Sequence, residues 1–146
     1  MSLRILIVDD ALIMRAILKE ILDKPPFEVV GEAKDGEEAV ELYRTLSPDL
    51  VLMDIIIPKK DGLTALSEII AINPLAKVII VSALGQQAMV IDALCRGARD
   101  FIPKPFHGEK ILKVVCAVMG VDFQTLTSQK IDEKLVKTYR KKSIVD

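Results

Sequence analysis

The chain alternates short, nearly all-apolar runs with longer stretches of helical periodicity, and it does so five times. The runs at 3–8 (LRILIV), 27–33, 50–53, 77–81 (KVIIV) and 98–102 have strand length. Most lack the apolar–polar alternation of a sheet with one wet face, so they read as strands buried on both sides. Between them, apolar residues recur at helical spacing: Leu12, Ile13, Ala16, Ile17, Ile21 and Leu22, then Ala39, Val40, Tyr43 and Leu46. Further helices are expected over 63–72, 86–96 and 109–119. Pro25-Pro26, Ser47-Pro48 and Asn73-Pro74 stop three of them, and Gly97 stands where a helix end favours a left-handed residue. Asp35-Gly36 is a turn that also opens a helix. Five βα units in succession predict an α/β domain, a parallel sheet covered on both faces with right-handed crossovers. The order of the strands does not follow from the pattern.

Bulk properties narrow the function. A chain of 146 residues with 51% hydrophobic and 4% aromatic residues fits one aliphatic-cored domain. A net charge of −1 argues against general nucleic-acid binding. No apolar run reaches the roughly 20 residues of a membrane span, and the opening MSLRILIVDD is not that of a signal peptide. Cys95 and Cys116 have no metal-type spacing and read as buried reduced thiols of a cytoplasmic protein. The pattern changes after Gly120. Ile131, Leu135 and Tyr139 make a narrow stripe among Lys130, Lys134, Lys137, Arg140, Lys141 and Lys142. The expected division is a domain over 1–120 and a basic C-terminal helix or tail over 121–146.

Polar residues fall at strand ends. The first strand ends in Asp9-Asp10, the third in Asp54 and the fourth in Ser82, and the fifth leads to Lys104. In a parallel sheet all carboxyl ends share one edge, where ligand sites of open α/β sheets form. With strands one, three, four and five as neighbours about 4.8 Å apart, the carboxylates converge and the Lys104 stem reaches back. Like charges at 4 Å cost about 4 kcal/mol per pair at an effective dielectric near 20. Either a proton is taken up or a cation sits there. Oxygen ligands without His or Cys favour Mg²⁺, and such a site suits a phosphoryl group attacked in line by an aspartate.

With Asp9-Asp10, MDIIIP around Asp54, VSA around Ser82 and DFIPKPF around Lys104-Pro105, residues 3–119 resemble the response regulator receiver family. The segment GQQAMVIDALCRGARDFIPKPF is similar to stand-alone chemotaxis regulators of the CheY type. The resemblance implies a flavodoxin-like (βα)5 fold with strand order 2-1-3-4-5. It implies Asp54 as phosphoacceptor, with Asp10 and Asp54 on Mg²⁺, Asp9 acting largely through water, and the Ile56 backbone carbonyl completing the ligands. Lys104 and the Ser82 hydroxyl would each contact a phosphoryl oxygen, and Phe101 would be the switch aromatic. A cis Lys104–Pro105 bond is also implied. The chain would be a switch with self-assisted phosphorylation and dephosphorylation, not an enzyme in the usual sense. Its implied partners are a chemotaxis-type histidine kinase, a flagellar motor switch protein and a phosphatase, with no membrane and no direct nucleic-acid contact.

Two positions depart from the enteric pattern. Ile56 and Leu84, two residues after Asp54 and Ser82, are apolar where that pattern is polar, so slow self-dephosphorylation is expected. His107 reads as a solvated helix-start residue. Two other readings stay open. One is a receiver with a different output, transcriptional or through a methylesterase, although no helix-turn-helix or GxSxG follows residue 120. The other is a phosphohydrolase of the haloacid dehalogenase type, which wants a second Asp where Ala11 stands.

Overall fold

The computed structural model describes residues 2–126. The elements run β1 (Leu3–Val8), α1 (Leu12–Leu22), β2 (Phe27–Ala33), α2 (Gly36–Leu46), β3 (Leu50–Met53), α3 (Gly62–Ile72), β4 (Val78–Ser82), α4 (Gln87–Cys95), β5 (Asp100–Pro103) and α5 (Gly108–Met119). All four strand pairings are parallel, in the order β2-β1-β3-β4-β5. The expected fold class and strand order are therefore observed. Predicted bounds shift by one or two residues at the last two strands.

Strand periodicity sorts the core into two layers. Leu6, Val8, Val51, Met53, Val78, Ile80 and Phe101 face α2, α3 and α4. Their alternates Ile5, Ile7, Leu50, Leu52, Ile79, Val81 and Ile102 face α1 and α5. Strands buried on both sides are apolar along their length, and β3 and β4 are buried throughout, with Ser82 at the carboxyl end of β4 their one polar residue.

Local chemistry sets the helix ends. Asp35 and Asp61 cap α2 and α3, each accepting from the backbone N–H three residues on, Glu38 at 2.8 Å and Thr64 at 2.9 Å. Ser47, at φ 45°, ends α2 before Pro48, and Gly97 turns the chain after α4 at φ 113°. Gly120, at φ 71°, closes α5, and the Val121 N–H then donates to the Cys116 carbonyl. Packing continues past that point. Val121, Phe123 and Leu126 lie against the α1/α5 layer, with Lys113 Nζ 5.6 Å from the Phe123 ring centre. The apolar stripe expected at 131–139 lies outside the described residues.

Two expectations are corrected. Cys95 is exposed, and only Cys116 is buried. The stripe read along α1 also does not all face inward: Leu12 and Ile13 are 71% and 72% exposed, and the buried residues are Leu18 and Leu22. In the first turn of α1 the inward positions go to Met14, which packs on the core, and to Arg15, which points back to the strand ends, while Leu12 and Ile13 lie on the outer side. Among the described residues, no helix is long and apolar enough to cross a membrane.

Candidate functional site

The sheet order changes direction at β1, which has β2 on one side and β3 on the other, so a crevice opens beyond the carboxyl ends of β1 and β3. Register decides what lines it. Val8 pairs with Met53, the Asp54 N–H donates to the Val8 carbonyl at 3.0 Å, and the Asp9 N–H donates to the Ala33 carbonyl at 3.0 Å. Asp9 and Asp54 therefore sit side by side at the end of the ladder. Carboxylate oxygens of Asp9, Asp10 and Asp54 all lie within 4.8 Å of one another. Asp9 and Asp54 are buried and Asp10 is exposed at the rim.

The cation comes from β5. Ser82 pairs with Pro103 across the β4–β5 ladder, and the Lys104 N–H donates to the Ser82 carbonyl at 2.9 Å. The Lys104–Pro105 peptide is cis, as the resemblance implied. From there Lys104 Nζ reaches Asp9 Oδ2 at 2.7 Å and Asp54 Oδ2 at 2.8 Å. Each buried carboxylate gives its other oxygen to a backbone N–H two residues on, Ala11 to Asp9 Oδ1 at 2.9 Å and Ile56 to Asp54 Oδ1 at 3.1 Å. Burial works to lower the Lys104 pKa, but hydrogen bonds and charge attraction from Asp54 and Asp9 outweigh it, and the ammonium is held above its ordinary value. A charged lysine between two carboxylates is what makes their burial tolerable.

The other expected residues take separate places. Ser82 is wholly buried, and its Oγ accepts from the Leu84 N–H at 3.3 Å. Phe101 pairs with Ile80 across the ladder and is buried in the α2/α3/α4 layer, against which Leu84 and Met89 also pack. Ile56 is half-exposed, its N–H on Asp54. His107 is the exposed N-cap residue of α5 and makes no side-chain cap.

Arg15 was not legible as a site residue. Its Nη1 donates to the Asp9 carbonyl at 2.7 Å while Nε holds Glu32 at 3.2 Å, so α1 braces the backbone of the acidic pair. A single arginine one turn into an amphipathic helix gives no signal of that in sequence.

A family model, that of the response regulator receiver domain, matches residues 5–116. The chain belongs to that family. A receiver is a phosphoacceptor switch rather than an enzyme, so the haloacid dehalogenase reading falls. The chain is 56% identical over 115 residues to the chemotaxis protein CheY of Bacillus subtilis, covering 79% of this chain and 96% of that protein. It is 52% identical to chemotaxis protein CheY of Thermotoga maritima, with the same coverage. Among solved structures, it resembles the CheX–CheY–BeF₃–Mg²⁺ complex of Borrelia burgdorferi at a TM-score of 0.77. That chain is 41% identical, over 80% of this receiver and 88% of the other.

Proposed function

We propose that Asp54 accepts a phosphoryl group from a chemotaxis-type histidine kinase and that the receiver then switches a protein-binding surface, serving control of a flagellar motor. The observation that carries this reading is the convergence of Asp9, Asp10 and Asp54 with the Lys104 ammonium at one sheet edge. The chemotaxis assignment is supported by relatives more than half identical over most of their length.

The donor set fits a magnesium ion. It offers only hard carboxylate oxygens, one at an exposed rim where a largely hydrated ion enters. Asp10 and Asp54 would hold it directly, Asp9 largely through water, with the Ile56 carbonyl as the remaining protein ligand. When bound, Mg²⁺ neutralises charge on the phosphoryl oxygens. An Asp54 carboxylate oxygen attacks phosphorus, an O–P bond forms, and the N–P bond of the donor phosphohistidine breaks, leaving its imidazole. Lys104 exchanges a carboxylate oxygen for a phosphoryl oxygen. The Ser82 hydroxyl donates to another and gives up the Leu84 N–H, and Phe101 follows in the layer it shares with Leu84 and Met89. This repacks the face of α4, β5 and α5, where Ile91 and Leu94 are 51% and 45% exposed, apolar side chains suited to a partner helix. A flagellar motor switch protein is the target. The Ile56 side chain offers no polar atom to orient the hydrolytic water, so a partner phosphatase supplies it; the CheX complex of the Borrelia relative supports such a pairing.

One labelling experiment tests the phosphoacceptor and the lifetime. The protein with Mg²⁺ and acetyl phosphate should gain one phosphoryl mass increment that Asp54→Ala lacks, and Ile56→Asn should lose that increment faster than the parent. An unlabelled parent removes the phosphoacceptor assignment, and an unchanged decay in Ile56→Asn removes the explanation of a long lifetime.

A further inference from the structure

The loop after Asp54 is gripped from two sides by helix starts of the same composition. Asp35-Gly36 opens α2 and Asp61-Gly62 opens α3, each with its aspartate as cap. The two glycines are the points of contact. A Cβ on Gly62 would be driven into the Asp54 carbonyl oxygen and lie 2.7 Å from Ile55 Cα. A Cβ on Gly36 would be driven into the Lys60 carbonyl oxygen and lie 2.7 Å from Lys60 Cβ. Both obstacles are backbone, which cannot swing aside as a flexible side chain can.

The loop's hydrogen bonds run to the same two helix starts. The Ile55 carbonyl accepts from the Ile57 and Gly62 N–H groups at 3.1 and 2.9 Å. The Pro58 carbonyl accepts from Lys60 at 2.8 Å and from Gly36 at 3.3 Å. Lys59, at φ 67°, turns the loop so that its Nζ lies 3.7 Å from Asp35 Oδ2, and Asp35 is itself buried. The peptides on either side of Ile56 are thus both pinned. Gly62 directly continues the loop as the first residue of α3, but Gly36 arrives from α2, a segment with no side chain in the acidic cluster.

We infer that Gly36 is a positioning residue of the metal site: by letting the start of α2 close onto the Pro58–Lys60 backbone, it sets the height at which the loop presents the Ile56 carbonyl. This rests on the proposed Mg²⁺ site and deepens it. A group that orients a ligand without touching the metal typically changes affinity by about 10- to 100-fold when altered.

Calorimetric titration of Mg²⁺ into the full chain reads this directly. Gly36→Ala should weaken Mg²⁺ binding by about tenfold or more. The control is Gly31→Ala, whose Cβ would meet the Leu46 side chain at 2.7 Å. It should lower thermal stability and leave Mg²⁺ affinity unchanged, because that side chain can move and lies away from the loop. Folded Gly36→Ala binding Mg²⁺ like the parent overturns the inference, as does an equal loss of affinity in Gly31→Ala. A parent that binds no Mg²⁺ removes the metal site itself, a distinct result. Should Gly36→Ala not fold, amide exchange in the parent decides: the Gly36 N–H should gain protection on Mg²⁺ saturation, since coupling between sites is reciprocal. Unchanged protection there overturns the inference too.

Discussion

Lys104 pairs with both buried carboxylates, and under the proposed function it takes a second role at the same atom. Its ammonium holds Asp9 and Asp54 in the described structure, and in the proposed phosphorylated state the same charge would pair with a phosphoryl oxygen. Replacing it with methionine leaves two buried carboxylates without their cation, and breaking a buried pair in this way costs on the order of 3 kcal/mol. Lys104→Met should therefore unfold earlier without Mg²⁺ and gain more in Tm from added Mg²⁺ than the parent does, because no ammonium then competes for the carboxylates. Equal gains in thermal unfolding scans would contradict this. The pH sign follows from the raised Lys104 pKa. Its contribution is fully present below the ordinary lysine value of 10.5 and is lost as pH rises through the higher folded value, so it is constant between neutral and mildly alkaline pH. Of the residues in this cluster, the three aspartates and Lys104 were readable from their places at strand ends. Arg15 and Gly36 were not, because their contributions are contacts to backbone and leave no mark in residue type.

At the scale of elements, the helix ends differ in what they tolerate. Gly97 and Gly120 both have positive φ, but a Cβ at Gly97 would meet Ile70 Cγ1 at 3.0 Å, whereas one at Gly120 would meet nothing within 4 Å among the described residues. Gly97→Ala combines backbone strain with a crowded α3–α4 contact and should cost on the order of 2 kcal/mol. Gly120→Ala carries the strain alone and should cost about 1 kcal/mol. Urea denaturation of the two variants checks the order; equal losses would show that Ile70 gives way freely. The apolar stripe of α1 is a second lesson at this scale. Leu12 and Ile13 satisfy helical periodicity, yet the helix begins beside the acidic crevice, where Met14 and Arg15 take the inward positions and they stay at the surface. Periodicity names a face of a helix, not what lies opposite it.

For the whole molecule, the site and the segment that follows α5 up to Leu126 occupy opposite edges of the sheet. The carboxylates lie beyond the strands' carboxyl ends, and Phe123 packs below α5 after its last turn. Phe123→Ala removes a half-buried ring and should cost about 1 kcal/mol of stability while leaving Mg²⁺ affinity untouched; a changed affinity in titration would mean the two edges are coupled. By itself the sequence determined the five βα units, since burial on both faces demands apolar strands and Pro and Gly punctuate the helices between them. It also determined which polar groups face the carboxyl edge, because a residue that directly follows a strand has nowhere else to go. The order β2-β1-β3-β4-β5 entered the reading through family resemblance, and no local pattern of residues carries it. Tertiary structure alone decided that Lys104 bridges Asp9 to Asp54, that Arg15 braces Asp9 from behind, and that two glycines close on the loop after Asp54. Those are distances between segments remote in sequence, set by how helices of given bulk pack on a twisted sheet, and no local pattern of residues encodes them.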